Sequence, residues 1–500
     1  MVQPTVLASR GGLLEAMLEC RVATNQVGGR TITTPTYNGS LPGPTLSLRP
    51  GETLRVHLVN NLPANTDPVP ADLNIPHHPG TTNLHTHGFH VSPRRPSDDI
   101  FLVIPPGESF SYEYRLPVNH PPGTYFYHPH HHGSVATQMW GGMAGCIIVE
   151  GEIDQVPEIA QARQAVMVFQ ELGLDQNGVV PPFDIFTFFQ LTTKTFTLNG
   201  RLNPTLRMKP GEVQRWRLVN ANVTDFLHLS LDGHSFHLLS VDGNTLPALR
   251  QSATLLMSMA NRLDVLVKAG APGSYLLRKL SLDQGVGANP ESILATVVVD
   301  DDRDLNMPLP SGPLPVPSQL APVADAQLTG ARQLTFSFLP DLPFFAVDNK
   351  HFDAGRIDQT VVLGAAEEWT VFNDSGGDHP FHIHINPFQL LAVNGQPVEP
   401  TWQDTVIVPR RGSVRFRTRF LDFEGLQVLH CHVLVHECMG MMQVVDVVPP
   451  NLPRHELSAR KRELARVLAS LPRSSPTDDW CGAPDAAPRN RLTFGRPQSV

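Results

Sequence analysis

The stretch LPGPTLSLRPGETLRVHLVNNL at 41–62 returns as RLNPTLRMKPGEVQRWRLVNAN at 201–222. Pro44-Thr45-Leu46 matches Pro204-Thr205-Leu206, Pro50-Gly51-Glu52 matches Pro210-Gly211-Glu212, and Leu58-Val59-Asn60 matches Leu218-Val219-Asn220, all at one offset of 160 residues. A weaker third copy, TVVLGAAEEWTVFND at 360–374, keeps Gly364, Trp369, Val371 and Asn373. A spacing this long marks duplicated domains, because solenoid repeats run only about 20–50 residues. Each copy reads as strand, turn, strand. TLRVHLVN and VQRWRLVN alternate like half-buried strands, and SFSYEYRL, CIIVEG, RLDVLVKAG and VRFRTRF follow the same pattern. The chain is therefore expected to be all-β, with three antiparallel sandwiches over 1–155, 156–320 and 321–450. The Pro-rich MPLPSGPLPVPSQLAPV at 307–323 reads as the second linker. In the tail, 451–500, Leu457, Leu464, Leu468 and Leu471 recur at helical spacing and predict a surface helix packed on the last domain.

Composition agrees with this organisation. A chain of 500 residues exceeds one ordinary core, and 47 Pro with 38 Gly suit a turn-rich build. A net charge of -9 gives no broad basic face, so no nucleic-acid partner is expected. The five cysteines are too few and scattered for a disulfide framework, although a Cys20–Cys481 bridge would tie the tail to the first domain. The start, MVQPTVLASRGG, lacks the pattern of a signal peptide. No run is long and apolar enough to span a bilayer, so a soluble chain with no membrane partner is expected.

Chemistry concentrates in the 22 histidines. Four His-x-His pairs occur: His85/His87 in LHTHG, His128/His130 in YHPHHHG, His382/His384 in HPFHIH and His430/His432 in HCHVLVH. Residues two apart in a strand share a face, so each pair can present two imidazoles to one ion or to two neighbouring ions. Eight imidazoles without obvious carboxylate partners exceed a single zinc site and suit copper. In YHPHHHG the pair 130/132 competes with 128/130; the latter is preferred because Tyr125-Phe126-Tyr127 runs straight into His128. His131 and His132 then fall outside the ligand set, and His77, His78 and His90 read as loop residues. Cys431 lies between His430 and His432 and faces the other way. With His379, His436 and a weak axial Met441 it makes the two-histidine, one-cysteine, one-methionine set of a blue copper site. The stretch 430–432 thus links two metal centres covalently.

The ordered motifs HTHG, HPH, HPFHIH and HCHVLVHECMGM resemble those of the three-domain multicopper oxidases, which include laccases and bacterial copper oxidases. The resemblance spans about residues 30–450. It implies a cupredoxin-like Greek-key sandwich for each domain and four copper ions. His85 and His382 would hold the type 2 copper. His87, His128, His130, His384, His430 and His432 would hold the type 3 pair. His379, Cys431, His436 and Met441 would hold the type 1 copper. A methionine at the axial position is similar to the bacterial, lower-potential members. Glu437 beside His436 and Asp98 in RRPSDDIF match acids that serve oxygen reduction in the family; Asp99 competes with Asp98. Asp404 in TWQDTV matches a family pattern too, with no role beyond structure assigned.

The resemblance implies a laccase-like monomer that oxidises small phenols or aromatic amines and reduces O2 to water. A Cu(I), Fe(II) or Mn(II) oxidase is the alternative, and the absence of a methionine-rich insertion counts against its Cu(I) form. A copper-free scaffold of the same fold would lack ligands that are all present here. A two-domain nitrite reductase would lack the paired histidines. Members of the family are usually exported to the periplasm or beyond.

Overall fold

A computed structural model describes residues 1–184, 188–285 and 287–452, together with residue 459. The tail helix expected over Leu457–Leu471, and Cys481, lie outside the described residues. Cys20 is fully buried in the first core.

Strands pack as three successive two-sheet sandwiches, drawn from residues 6–149, 163–299 and 330–448. The repeated sequence has the same structural task in each. Thr45–Leu48, Thr205–Met208 and Gln359–Val362 lie in one sheet, while the strands that follow, Thr53–Asn61, Val213–Asn220 and Ala366–Asn373, lie in the other. The repeat is therefore the crossover between layers. Its sharp turn needs a left-handed backbone, which Gly51, Gly211 and Gly364 supply with φ of 81°, 64° and 92°.

The repeated asparagine has an equally specific task. Asn60, Asn220 and Asn373 each accept the N–H of the residue two positions on: Leu62, Asn222 and Ser375. Each side-chain amide also donates to two carbonyls: those of Gly80 and Ile104, of Asp225 and Met257, and of Gly377 and Val408. One side chain thus closes the loop after the strand in all three copies. Leaving one of these buried carbonyls unpaired would cost about 1–3 kcal/mol.

Two expectations need correction. The sandwiches are mixed and not purely antiparallel. Each crossover strand pairs in parallel with the last strand of its sandwich, as in Leu46↔Ile147, Thr205↔Thr296 and Gln359↔Val445. The strand after each crossover also runs parallel to the first long strand of its sandwich. Half-burial holds for Thr53–Asn61 but fails for Val213–Asn220, which is buried at every residue. Its outward arginines face the first sandwich. Arg215 and Arg217 both pair with Asp154, just past the first sandwich, and with Asp264 of the neighbouring middle-sandwich strand, and Arg217 also donates to Thr124 of the first sandwich.

The first and third sandwiches share one strand order in the sheet that matters for function. In the first, Thr45–Leu48, Gly145–Val149, Gly123–His128 and His85–His87 lie side by side. In the third the sequence is Gln359–Val362, Met442–Val448, Gly425–Cys431 and His379–Ile383. The histidine motifs therefore occupy equivalent neighbouring strands. Among the described residues, no helix is long and apolar enough to cross a membrane.

Candidate metal centres

Register sets the histidines facing one another. His85 is directly opposite His128, and His382 is directly opposite His430. His130 and His432 lie just past their strand ends yet still enter the same buried cluster. All eight histidines of the four pairs are at most 1% exposed. The cluster lies between the first and third sandwiches, each supplying four imidazoles.

The cluster is continuous, with overlapping close groups of His85, His87 and His128, of His85, His382 and His384, and of His130, His384 and His430. The Nε2 atoms of His130, His384 and His430 lie 3.1, 3.2 and 3.3 Å apart. The rings of His87, His128 and His432 stand at 5.0, 5.5 and 5.7 Å from one another. His85 and His382 complete the set, with ring centres 6.2 Å apart. His132 turns away, onto Asn74 and Phe352, and His77 bonds the carbonyl of Ile75. His90 reaches Asp422 at 2.6 Å.

The hydrogen bonds decide which ring nitrogen is free. His85 Nδ1 donates to Asp98 at 2.8 Å, His128 Nδ1 to the Pro129 carbonyl at 2.8 Å and His382 Nδ1 to the Asp404 carbonyl at 2.8 Å. Their Nε2 atoms are buried without partners. His87 is reversed: Nε2 bonds Asp404 at 3.1 Å and Nδ1 is left without a partner. Burial, reinforced by neighbouring imidazoles, pushes His85, His87, His382, His384 and His432 far below the usual histidine range. It takes His128 to about 3 and His130 to about 4. These rings are neutral at pH 7, with lone pairs available. Ligand nitrogens about 2.0 Å from an ion at tetrahedral angles are separated by about 3.3 Å. The spacing of His130, His384 and His430 matches that value, so the donor set fits metal ions.

A second set lies in the third core. Cys431 Sγ is 3.4 Å from His379 Nδ1 and 3.7 Å from His436 Nδ1, and the two nitrogens are 3.1 Å apart. Met441 is fully buried in the same core, and its carbonyl accepts the N–H of Cys431. Burial pushes the Cys431 thiol far up, so a thiolate there requires a cation to neutralise it. His436 is the only partly exposed member of the set. It sits on the short helix Leu434–Cys438 and stacks on Phe345 with centres 3.8 Å apart.

Beside Asp404, two further acids border the histidine cluster, both fully or almost fully buried. Asp98 bonds His85 and accepts the N–H and hydroxyl of Thr86. Burial lifts its carboxyl to about 7 against those hydrogen bonds. Asp99 instead pairs with Arg95. Glu437 lies 3.0 Å from His430 Nδ1 and 3.5 Å from His130 Nδ1. Burial raises its pKa, but those imidazoles outweigh burial and bring it down to about 2.

Sequence reasoning missed two supporting residues. Ser375 Oγ lies 2.7 Å from His379 Nε2, and Arg262 grips Asp404 at 2.9 and 2.5 Å. Ser375 was within reach, because it follows the repeated Asn373 by two residues. Arg262 lies 142 residues from Asp404, and no local pattern connects them.

Stacked cupredoxin-like sandwiches, with a thiol–imidazole set in one core and paired imidazoles at a seam, define a copper protein of the blue oxidase type. Multicopper oxidase family models match residues 20–67 with 74–153, 171–301 and 319–451. A laccase from Bacillus stratosphericus is 26% identical over 467 residues, covering 83% of this chain and 90% of that protein. The multicopper oxidase mco of Staphylococcus aureus is 25% identical over 436 residues, covering 82% and 83%. A multicopper oxidase structure from Campylobacter jejuni, described as a metallo-oxidase, aligns with a TM-score of 0.75 at 25% identity, covering 89% of this chain and 96% of that one. The chain belongs to the multicopper oxidase family, whose members are copper-dependent oxidoreductases using O2 and a reductant.

Proposed function

We propose that the protein is a laccase-like oxidase of phenols or aromatic amines, organised as domains 1–155, 156–320 and 321–450. His379, Cys431, His436 and Met441 would hold a type 1 copper. His85 and His382 would hold a type 2 copper, and His87, His128, His130, His384, His430 and His432 a type 3 pair. Four bound coppers would supply one-electron acceptance at the cysteine set and four-electron reduction of O2 at the histidine set.

The chain's own residues provide the rest. His436 presents the partly exposed edge at which a reductant can approach. Cys431 joins that set through covalent bonds to His430 and His432. Asp98, lifted to about 7, can carry a proton at its carboxyl near neutral pH. His430 Nδ1 bonds the Cys431 carbonyl at 3.1 Å, with Glu437 Oε2 beside it at 3.0 Å. The buried seam excludes bulk water from the histidine set. Export and a monomeric state accord with the family's habits.

The observation that carries the substrate class is the surface beside His436. Phe345 stacks on its ring, and Phe338 and Phe344 stack on each other 5.6 Å apart. A metal-ion oxidase would place carboxylates or thioethers there. The test is oxygen uptake by copper-loaded protein with a methoxyphenol and separately with Cu(I). Uptake with the phenol, without added copper, supports the proposal. Uptake only with Cu(I) makes the protein a metal oxidase.

A further inference from the structure

The middle sandwich supplies no histidine to either set, yet it reaches the histidine cluster. We infer that Arg262 of the middle sandwich is a positioning residue for the copper cluster, acting through Asp404 to fix the orientation of His87 and His382. The inference rests on the reading of those two histidines as copper ligands.

Arg262 is fully buried and points its fork at one carboxylate. Nη1 donates to Asp404 Oδ1 at 2.9 Å and Nη2 to Oδ2 at 2.5 Å. Nη1 also donates to the Ala260 carbonyl at 2.8 Å and Nε to the Thr124 carbonyl at 3.3 Å, so the fork cannot swing. A carboxylate held in this way is an acceptor only. The 3.1 Å contact from His87 Nε2 to Asp404 Oδ1 must then be N–H donating to oxygen. The Nδ1 lone pair of His87 is thereby turned into the cluster, where it has no protein partner.

The same residue sets a ligand from the third sandwich by a different atom. The Asp404 main-chain carbonyl accepts from His382 Nδ1 at 2.8 Å, freeing His382 Nε2. The His87 and His382 rings stack with centres 3.9 Å apart. Middle-sandwich residues also hold the main chain at this point. Asp242 accepts the N–H groups of Asp404 and Thr405 at 3.2 Å, and Asn261 donates to the Thr405 carbonyl at 3.0 Å.

A glycine makes room for the arrangement. A Cβ on Gly88 would lie 2.3 Å from Arg262 Nη2 and 2.6 Å from Asp404 Oδ2. The glycine that closes LHTHG is where the fork and carboxylate meet beside His87. An ion pair that only joined sandwiches would not need to meet there.

The test uses the full chain with Arg262→Lys, which keeps the charge but loses the fork, and Asp404→Asn, which keeps the shape but loses the charge. Wild type and variants are loaded with copper, freed of loose metal and titrated with a chelator. Total copper reports both sets, and the blue absorption reports the Cys431 set alone. The expected result is an unchanged blue band, with non-blue copper lost at chelator concentrations at least about tenfold lower than in wild type. Equal retention by wild type and both variants would overturn the inference. So would parallel loss of blue and non-blue copper, which makes the pair a general fold element. Wild-type protein that binds only blue copper would refute the underlying reading of the histidine set, a separate failure visible in the control.

Discussion

Removing the Ser375 hydroxyl should weaken the cysteine centre through a ring nitrogen that never touches the metal. Ser375 Oγ lies 2.8 Å from Asn373 Oδ1, an acceptor, and so spends its hydrogen there. It must then accept from His379 Nε2–H at 2.7 Å, which leaves His379 Nδ1 free to face Cys431 and His436. In Ser375→Ala the Nε2–H loses its acceptor in a fully buried position. That penalty is about 1–3 kcal/mol, which corresponds to about 5- to 150-fold in an equilibrium constant. The measured cost of deleting a ligand's supporting hydrogen bond, about 10- to 100-fold in metal affinity, falls in the same range. The assay is competitive titration of metal-free protein with copper against a chelator, read at the blue band. Ser375→Thr, which keeps the hydroxyl, is the control. Unchanged blue-copper affinity in Ser375→Ala would refute the reasoning.

Other outcomes follow from the same geometry. Cys431→Ser should abolish the blue band and phenol oxidation together, while copper analysis still finds metal at the histidine set; retained phenol turnover would contradict the proposed electron entry. Asp98 is proton-loaded below about 7 and empties above it, so turnover should fall as pH rises through that value. In Asp98→Asn turnover should drop by about 10²- to 10⁴-fold, the usual worth of a positioned acid, and lose this pH step; a pH–rate profile identical to wild type would exclude it as a proton carrier. Met441→Leu should keep the blue colour and raise the reduction potential, because a weak axial ligand is removed; potentiometric titration checks the sign.

The triplication, the all-β class and the ligand-type residues were legible in the chain because they depend on local rules. A Pro-Gly turn, a strand-ending asparagine and a two-residue periodicity act over a few residues. The same rule brought His85/His87 and His382/His384 onto shared faces; it could not separate His128 from His132, and the run Tyr125-Phe126-Tyr127 into His128 made that choice. The choice of Asp98 over Asp99 needed three dimensions, since both lie beside the same proline turn and only one reaches His85.

What the sequence determined by itself is which side chains can bind metal and the strand frame that pairs them. What only the tertiary structure decided is which nitrogen of each ring is free, which charges are buried and which sandwich supports which ligand. Arg215, Arg217 and Arg262 read as surface residues of alternating strands, yet they are sealed inside by the packing of the middle sandwich on its neighbours. Alternation reports one face of one sheet. Whether the other face meets water or a second sandwich depends on contacts between residues 61 to 142 positions apart, and no local pattern records them.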